Sequence, residues 1–179
     1  MLFQRKSIRV SLPESELPSE RPRRAIGQLW IGASAPWKIN TIPDLTGFDS
    51  LRELTIGWIS FAQLPEQVFQ LVTLRRLNLL NCPIADVPAK IGRLRNLRQL
   101  TIRGGNLKHF PNSILELRKL TYLDLANNQI DRIDDSILKL KRLRCLRLHA
   151  NWNCVVDDRV RGQNRLRLFE PQQIPKNAG

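Results

Sequence analysis

The chain has 179 residues, with 29 Lys or Arg against 16 Asp or Glu, and a formal net charge of +13 with its two histidines neutral. That length supports one domain with a real core. The three cysteines, Cys82, Cys145 and Cys154, have no metal-ligand spacing and cannot all pair within the chain, which excludes a disulfide-stapled scaffold and a thiolate metal site. No stretch approaches the roughly 18 consecutive apolar residues of a transmembrane helix. Met1-Leu2-Phe3-Gln4 lacks the apolar region of about 7–15 residues that a secretory signal requires.

Residues 1–25 are rich in charge and proline, with Pro13, Pro18, Pro22 and the basic run Arg21-Pro22-Arg23-Arg24. Within them Ile8-Arg9-Val10-Ser11-Leu12 alternates at the strand period. It fits a strand capping the amino end of a core and equally an arm outside the fold; both readings stay open. Leu54, Leu77, Leu100, Leu123 and Leu146 then follow one another at a step of 23 residues. Rows from Leu51 to Leu143 and from Ile56 to Leu148 keep the same step, and Pro65, Pro88, Pro111 and Asp134 run in phase. A fixed period of this length is the signature of a stacked-repeat architecture.

In the best copy, Leu100-x-Ile102 places two side chains on one side of a short strand. Pro111 then precedes Ile114-x-x-Leu117, a helical step whose proline suits a first turn. Each unit is a strand, a turn and a short helical segment, and its apolar face is buried only by its neighbours. The first unit, Ile26–Ile31, lies two residues too far from Leu54, which places an insertion within 32–40. In the last, Val156, Asp157, Asp158 and Val160 keep the step, and Leu166 and Phe169 fall 23 residues after Leu143 and Leu146. The register fails at Asn153, Gln163 and Pro171, as a polar capping unit would. Residues 170–179, with Pro171 and Pro175, are expected to fray. The expected organisation is an amino-terminal arm or capping segment over 1–25, a solenoid of about six units over 26–169, and a tail over 170–179.

The segment Leu97–Ile102, together with Leu120-Thr121-Tyr122-Leu123-Asp124-Leu125-Ala126-Asn127-Asn128, resembles the leucine-rich repeat family. Its closing half, proline followed by apolar residues at helical spacing, is similar to the intracellular Ras-group type and its bacterial relatives. It is unlike the repeat of about 20 residues found in bacterial effector ligases. The resemblance implies an α/β solenoid with a curved parallel sheet on the concave face and short helical segments on the convex face. It also implies a non-enzymatic protein-interaction module of the scaffold, regulator or secreted-effector kind. Extracellular members carry cysteine-rich end caps, and none is visible, so the expected compartment is the reduced cytoplasm of the producer or of a host cell. The family's bridging Asn or Cys is present as Cys82, Asn128 and Asn151, whereas Ser34, Ile59 and Gly105 predict a broken ladder in the first half.

Strand alternation assigns the outward side chains in columns. One runs Gln28, Glu53, Arg76, Gln99, Tyr122, Cys145, and the next Trp30, Thr55, Asn78, Thr101, Asp124, Arg147. A third includes Gly32, Gly57, Leu80, Arg103 and His149, with Trp58 beyond it. Trp, Tyr and Arg most often anchor interfaces. The expected binding surface is therefore Trp30, Trp58, Arg76, Asn78, Thr101, Arg103, Tyr122, Asp124, Arg147 and His149, facing a protein or peptide of acidic character. Trp30 and Trp58 have a second reading, packed beneath the amino-terminal arm or the insertion.

Arg52, Arg75, Arg98 and Arg144 share one repeat position and form a basic edge, joined by Arg95, Arg118, Lys119, Lys141 and Arg142. It reads as a solvated edge, or as a footprint for an acidic protein, a nucleic acid or an anionic membrane surface. No catalytic, cofactor or metal site is expected. Cys145 and His149 lie four strand positions apart, about 13 Å, against the roughly 3 Å a nucleophile and base require. His109 falls in a loop, and Asp134-Asp135 and Asp157-Asp158 sit where helix caps belong.

Overall fold

The computed structural model describes residues 6–12, 23–37, 42–61 and 63–170. The expected fraying of the tail and the Arg21-Pro22 half of the basic run fall outside them. Eight strands build one parallel sheet: β1 (Lys6–Leu12), β2 (Ile26–Trp37), β3 (Glu53–Ile59), β4 (Arg76–Leu80), β5 (Gln99–Arg103), β6 (Tyr122–Asp124), β8 (Cys145–Arg147) and β10 (Arg167–Phe169). Their order in space is their order in sequence. A second, two-stranded sheet pairs β7 (Arg132–Ile133) with β9 (Val155–Val156).

Between strands the chain returns through 3-10 turns at Glu66–Gln70, Ala89–Arg93, Asn112–Glu116 and Asp135–Lys139, and in the last unit through α1 (Asp158–Arg161). Proline opens the first three, at Pro65, Pro88 and Pro111, where no backbone N–H is needed. Asp134 and Asp157 open the others, and each carboxylate accepts the backbone N–H two residues on. Between sheet and turns lies the core: Leu54, Leu77, Leu100, Leu123 and Leu146 are all 0% exposed. No helix among the described residues is long and apolar enough to cross a membrane.

Asparagines tie the turns together from inside. Asn128 Nδ2 donates to the carbonyls of Ile102, Leu125 and Ala126, and its Oδ1 accepts Leu107 N–H. Asn151 repeats the pattern on Leu125, Leu148 and Ile130. Two units before Asn128, Cys82 donates a longer bond to Ile56 O, 3.6 Å. Gly105 takes no part, but it leaves room: a Cβ there would lie 2.8 Å from Asn128 Oδ1. At the strand exit a left-handed residue recurs at the repeat step: Trp58, Asn81, Gly104, Asn127 and Ala150 have φ of 55°, 53°, 67°, 55° and 54°.

Two irregularities bear on the site. The extra residues of the first long unit are absorbed as a bulge within β2, where the pairing jumps from Gly32–Gly57 to Trp37–Ile59. In the last unit the pairing slips. Leu168, not Phe169, sits opposite Leu146, and Phe169 sits opposite Arg147. The sequence period had put Phe169 in the core row. One residue is lost before β10, and a slip of one residue moves a side chain to the other face.

Candidate functional site

Register fixes the outward columns strand by strand. Ser7, Gln28, Glu53, Arg76, Gln99, Tyr122, Cys145 and Arg167 are paired neighbours in one. Arg9, Trp30, Thr55, Asn78, Thr101, Asp124, Arg147 and Phe169 are neighbours in the other. Both run across the face opposite the 3-10 turns. Ser7, Arg9, Arg167 and Phe169 were not among the expected site residues, because the strands carrying them stand outside the regular comb.

At the amino end the first column is a hydrogen-bonded relay. Ser7 Oγ donates to Gln28 Oε1, Gln28 Nε2 to Glu53 Oε2, and Arg76 Nη1 pairs with the same oxygen at 3.2 Å. Asn78 Nδ2 donates to Thr55 Oγ1 in the second column, and Thr101 lies half-buried beside it. Trp30 is also half-buried: the Arg9 guanidinium stands 4.9 Å above its ring, a cation–π contact. Gly32 lies against the ring, where a Cβ would come within 2.4 Å of Trp30 Cη2. Trp30 is thus sandwiched under the amino-terminal strand and is no free anchor. Trp58 is different, at 40% exposure on the rim of this face.

The carboxyl end is built around one carboxylate. Asp124, expected as an outward contact, is 0% exposed. Arg103 Nη2 lies 2.7 Å from its Oδ2, Tyr122 O–H donates to that oxygen at 3.2 Å, and Arg147 Nε stands 3.8 Å away. Its other oxygen accepts Ala126 N–H. Asp124 therefore orders the arginines and is itself closed to a partner. A buried charge must be met this way, because desolvating it alone is expensive. Burial pushes the Tyr122 hydroxyl up from its ordinary range, and the bond with Tyr122 holds the Arg147 guanidinium above its own. Phe169 closes the cluster, with Arg147 and Arg167 over its ring at 5.2 and 4.8 Å. His149 is half-buried in the turn that follows β8.

Two arginines thus share one internal negative charge, and Arg167 adds a third guanidinium. This end of the face carries surplus positive charge for an acidic group. Burial raises the Cys145 thiol above its ordinary range. His109 is exposed and pairs with Asp131 at 3.0 Å, away from the face.

Along the basic edge, backbone bonds link the repeat position directly. Arg75 N–H donates to Arg52 O, Arg98 to Arg75, Thr121 to Arg98, and Arg144 to Thr121, at 2.8 to 2.9 Å. Arg52 turns inward, its Nη1 on the Thr73 carbonyl, while Arg75, Arg98 and Arg144 stay exposed.

In-register parallel strands closed by short helical turns and pinned by buried asparagines define a solenoid of stacked repeats. Residues 33–170 match the leucine-rich repeat region, and the chain belongs to the leucine-rich repeat family. Its fold is similar to that of a leucine-rich repeat protein from Leptospira interrogans, with TM-score 0.64 and 19% identity over 88% of this chain and 47% of that one. It is also similar to an internalin from Listeria monocytogenes, with TM-score 0.58 and 14% identity over 92% of this chain and 56% of that one. The chain thus spans about half the length of these two structures. No curated protein matches it in sequence. Leucine-rich repeat folds serve in general as protein-interaction modules.

Proposed function

We propose that the chain is a non-enzymatic binding module that takes an acidic protein segment on its concave face. Trp58 at the rim supplies the apolar anchor, and Arg76, Arg103, Arg147 and Tyr122 supply polar selectivity. Phe169 and Arg167 extend the surface beyond the residues expected from the repeat pattern.

One observation carries this reading. Trp58 occupies a left-handed backbone position that other units fill with Asn81, Gly104, Asn127 and Ala150, none of them bulky. A bulky residue there is strained, and an exposed indole costs solubility. Strain retained at an exposed aromatic is typical of binding surfaces rather than of scaffolding. The surplus guanidinium charge around Asp124 supports an acidic partner and a raised association rate.

The test is affinity capture from lysate at low and moderate salt, with nuclease present, using the wild type and Trp58→Asn, Arg103→Glu and Tyr122→Ala variants. A specific partner should persist at moderate salt and be lost from all three variants. Capture that survives all three would reject the concave face as the binding surface.

A further inference from the structure

The basic edge is a second surface, and its chemistry differs from that of the concave face. The connections at 71–75, 94–98, 117–121 and 140–144 contain no acidic and no aromatic residue. Stacking gathers their cations into three rows. Arg75, Arg98 and Arg144 form the inner row, joined through Thr121 by the backbone ladder. Arg95, Arg118 and Lys141 share a second repeat position, and Lys119 and Arg142 a third.

Most of these charges are unspent. Arg118 has Glu116 at 3.6 Å, and Lys119 donates to Asn96 Oδ1. The side chains of Arg75, Arg95, Arg98, Lys141, Arg142 and Arg144 are exposed and make no hydrogen bond or ion pair among the described residues. Beside the inner row lies a groove of about 540 Å³ whose lining includes Arg52, Arg75, Arg76, Arg98, Gln99 and Thr121. Its one carboxylate, Glu53, is already paired with Arg76.

We propose that this edge binds nucleic acid through its phosphodiester backbone, without reading bases. Strands stack about 4.8 Å apart, so the inner row from Arg75 to Arg144 spans about 14 Å. At about 3.4 Å of rise per nucleotide, that length meets about four phosphates of one strand. Arginine predominates, and its planar fork matches phosphate oxygens two at a time. The edge has no aromatic side chain on which a base could stack or which could anchor a protein interface. Only Val72, at 52% exposure, offers apolar surface there, whereas membrane adsorption needs an apolar face to sink below the headgroups.

The inference is independent of the concave-face reading and is tested without any partner, by fluorescence anisotropy of a labelled short DNA duplex of arbitrary sequence. With about four phosphates neutralised, affinity should fall roughly 100-fold between about 50 and 200 mM salt. The triple variant Arg75→Glu/Arg98→Glu/Arg144→Glu should lose at least tenfold in affinity at the lower salt. The triple Gln variant provides the same comparison if the Glu form does not fold by circular dichroism. Arg132→Glu, on β7 and outside these connections, should change affinity less than about threefold. The proposal is overturned by no saturable binding at the lower salt, or by duplex binding that both triple variants retain. It is also overturned if phosphatidylserine vesicles hold the protein at salt that releases the duplex.

Discussion

Trp58 and Asn127 lie three repeats apart and share one backbone conformation, φ 55° in each. Asparagine tolerates the left-handed region and tryptophan does not, by about 1–2 kcal/mol. Trp58→Asn should therefore stabilise the fold by about 1 kcal/mol, raising Tm by about 2–4 °C, while abolishing partner capture. Ala150→Gly relieves the same strain at an equivalent position and should raise Tm without affecting capture. Loss of stability in Trp58→Asn would mean that the indole packs as scaffold.

The second expectation concerns Asp124. Its removal leaves the Arg103–Arg147 pair without its counter-charge and Ala126 N–H without an acceptor. Breaking a buried ionic cluster from its centre costs about 3–5 kcal/mol. Asp124→Ala should accordingly lower Tm by roughly 6–20 °C. Arg103→Ala should cost markedly less, because its side chain is 38% exposed and water replaces the lost partner. Equal penalties in thermal unfolding would contradict this ranking.

The fold was legible because one period repeats through rows of buried leucines, and the parity of a strand then names the outward residues without further information. What escaped depended on neighbours outside the comb. Phe169 changes face because a single residue is lost before β10, and Leu168 fits the apolar pattern as well as Phe169 does. Trp30 is covered because Arg9 pairs with it across β1 and β2, a register that no repeat encodes. Asp124 reads as a surface carboxylate until the strands either side bring Arg103 and Arg147 onto it. The left-handed step was available in Asn81, Gly104 and Asn127, but Trp58 and Ala150 disguise it.

Thiol reactivity should separate the three free cysteines. Cys82 and Cys154 are buried and Cys145 is half-buried. Burial pushes the Cys154 thiol up to about 11, so about one molecule in a thousand is thiolate at pH 8. A disulfide reagent at that pH should modify Cys145 first and all three only after denaturation. Cys145→Ser should abolish the early reaction. Early modification of Cys154 in that variant would show that solvent reaches its thiol in the folded chain.

Acid should weaken the fourth 3-10 turn. The Ser136 hydroxyl and backbone N–H both donate to the Asp134 carboxylate and hold its pKa below the ordinary 3.8. A lowered folded pKa means that the contribution is complete above the unfolded value and disappears as pH falls through the folded one. Asn caps as well as Asp but does not titrate. Between about pH 6 and pH 3, the stability advantage of the wild type over Asp134→Asn should shrink by a few tenths of a kcal/mol, small because the site is exposed. Urea midpoints at the two pH values measure it; a constant difference would assign the cap no electrostatic role.

The asparagine ladder makes a claim about coupling. Asn128 satisfies three carbonyls and one N–H within the core, and its Oδ1 occupies the space that a side chain at position 105 would need. Asn128→Ala should cost about 2–3 kcal/mol, since buried backbone groups lose their partners. Gly105→Ala should cost about 2 kcal/mol by a different route: its methyl displaces the carboxamide and breaks the same bonds. Because both substitutions damage one set of interactions, the double variant should be less destabilised than the sum by about 1 kcal/mol or more. Asn151→Ala combined with Gly105→Ala provides the contrast, because Asn151 shares only the Leu125 carbonyl with Asn128 and otherwise bonds Leu148 and Ile130. That pair should be closer to additive in chemical denaturation. If the first pair were additive, Gly105 would owe its identity to something other than the ladder.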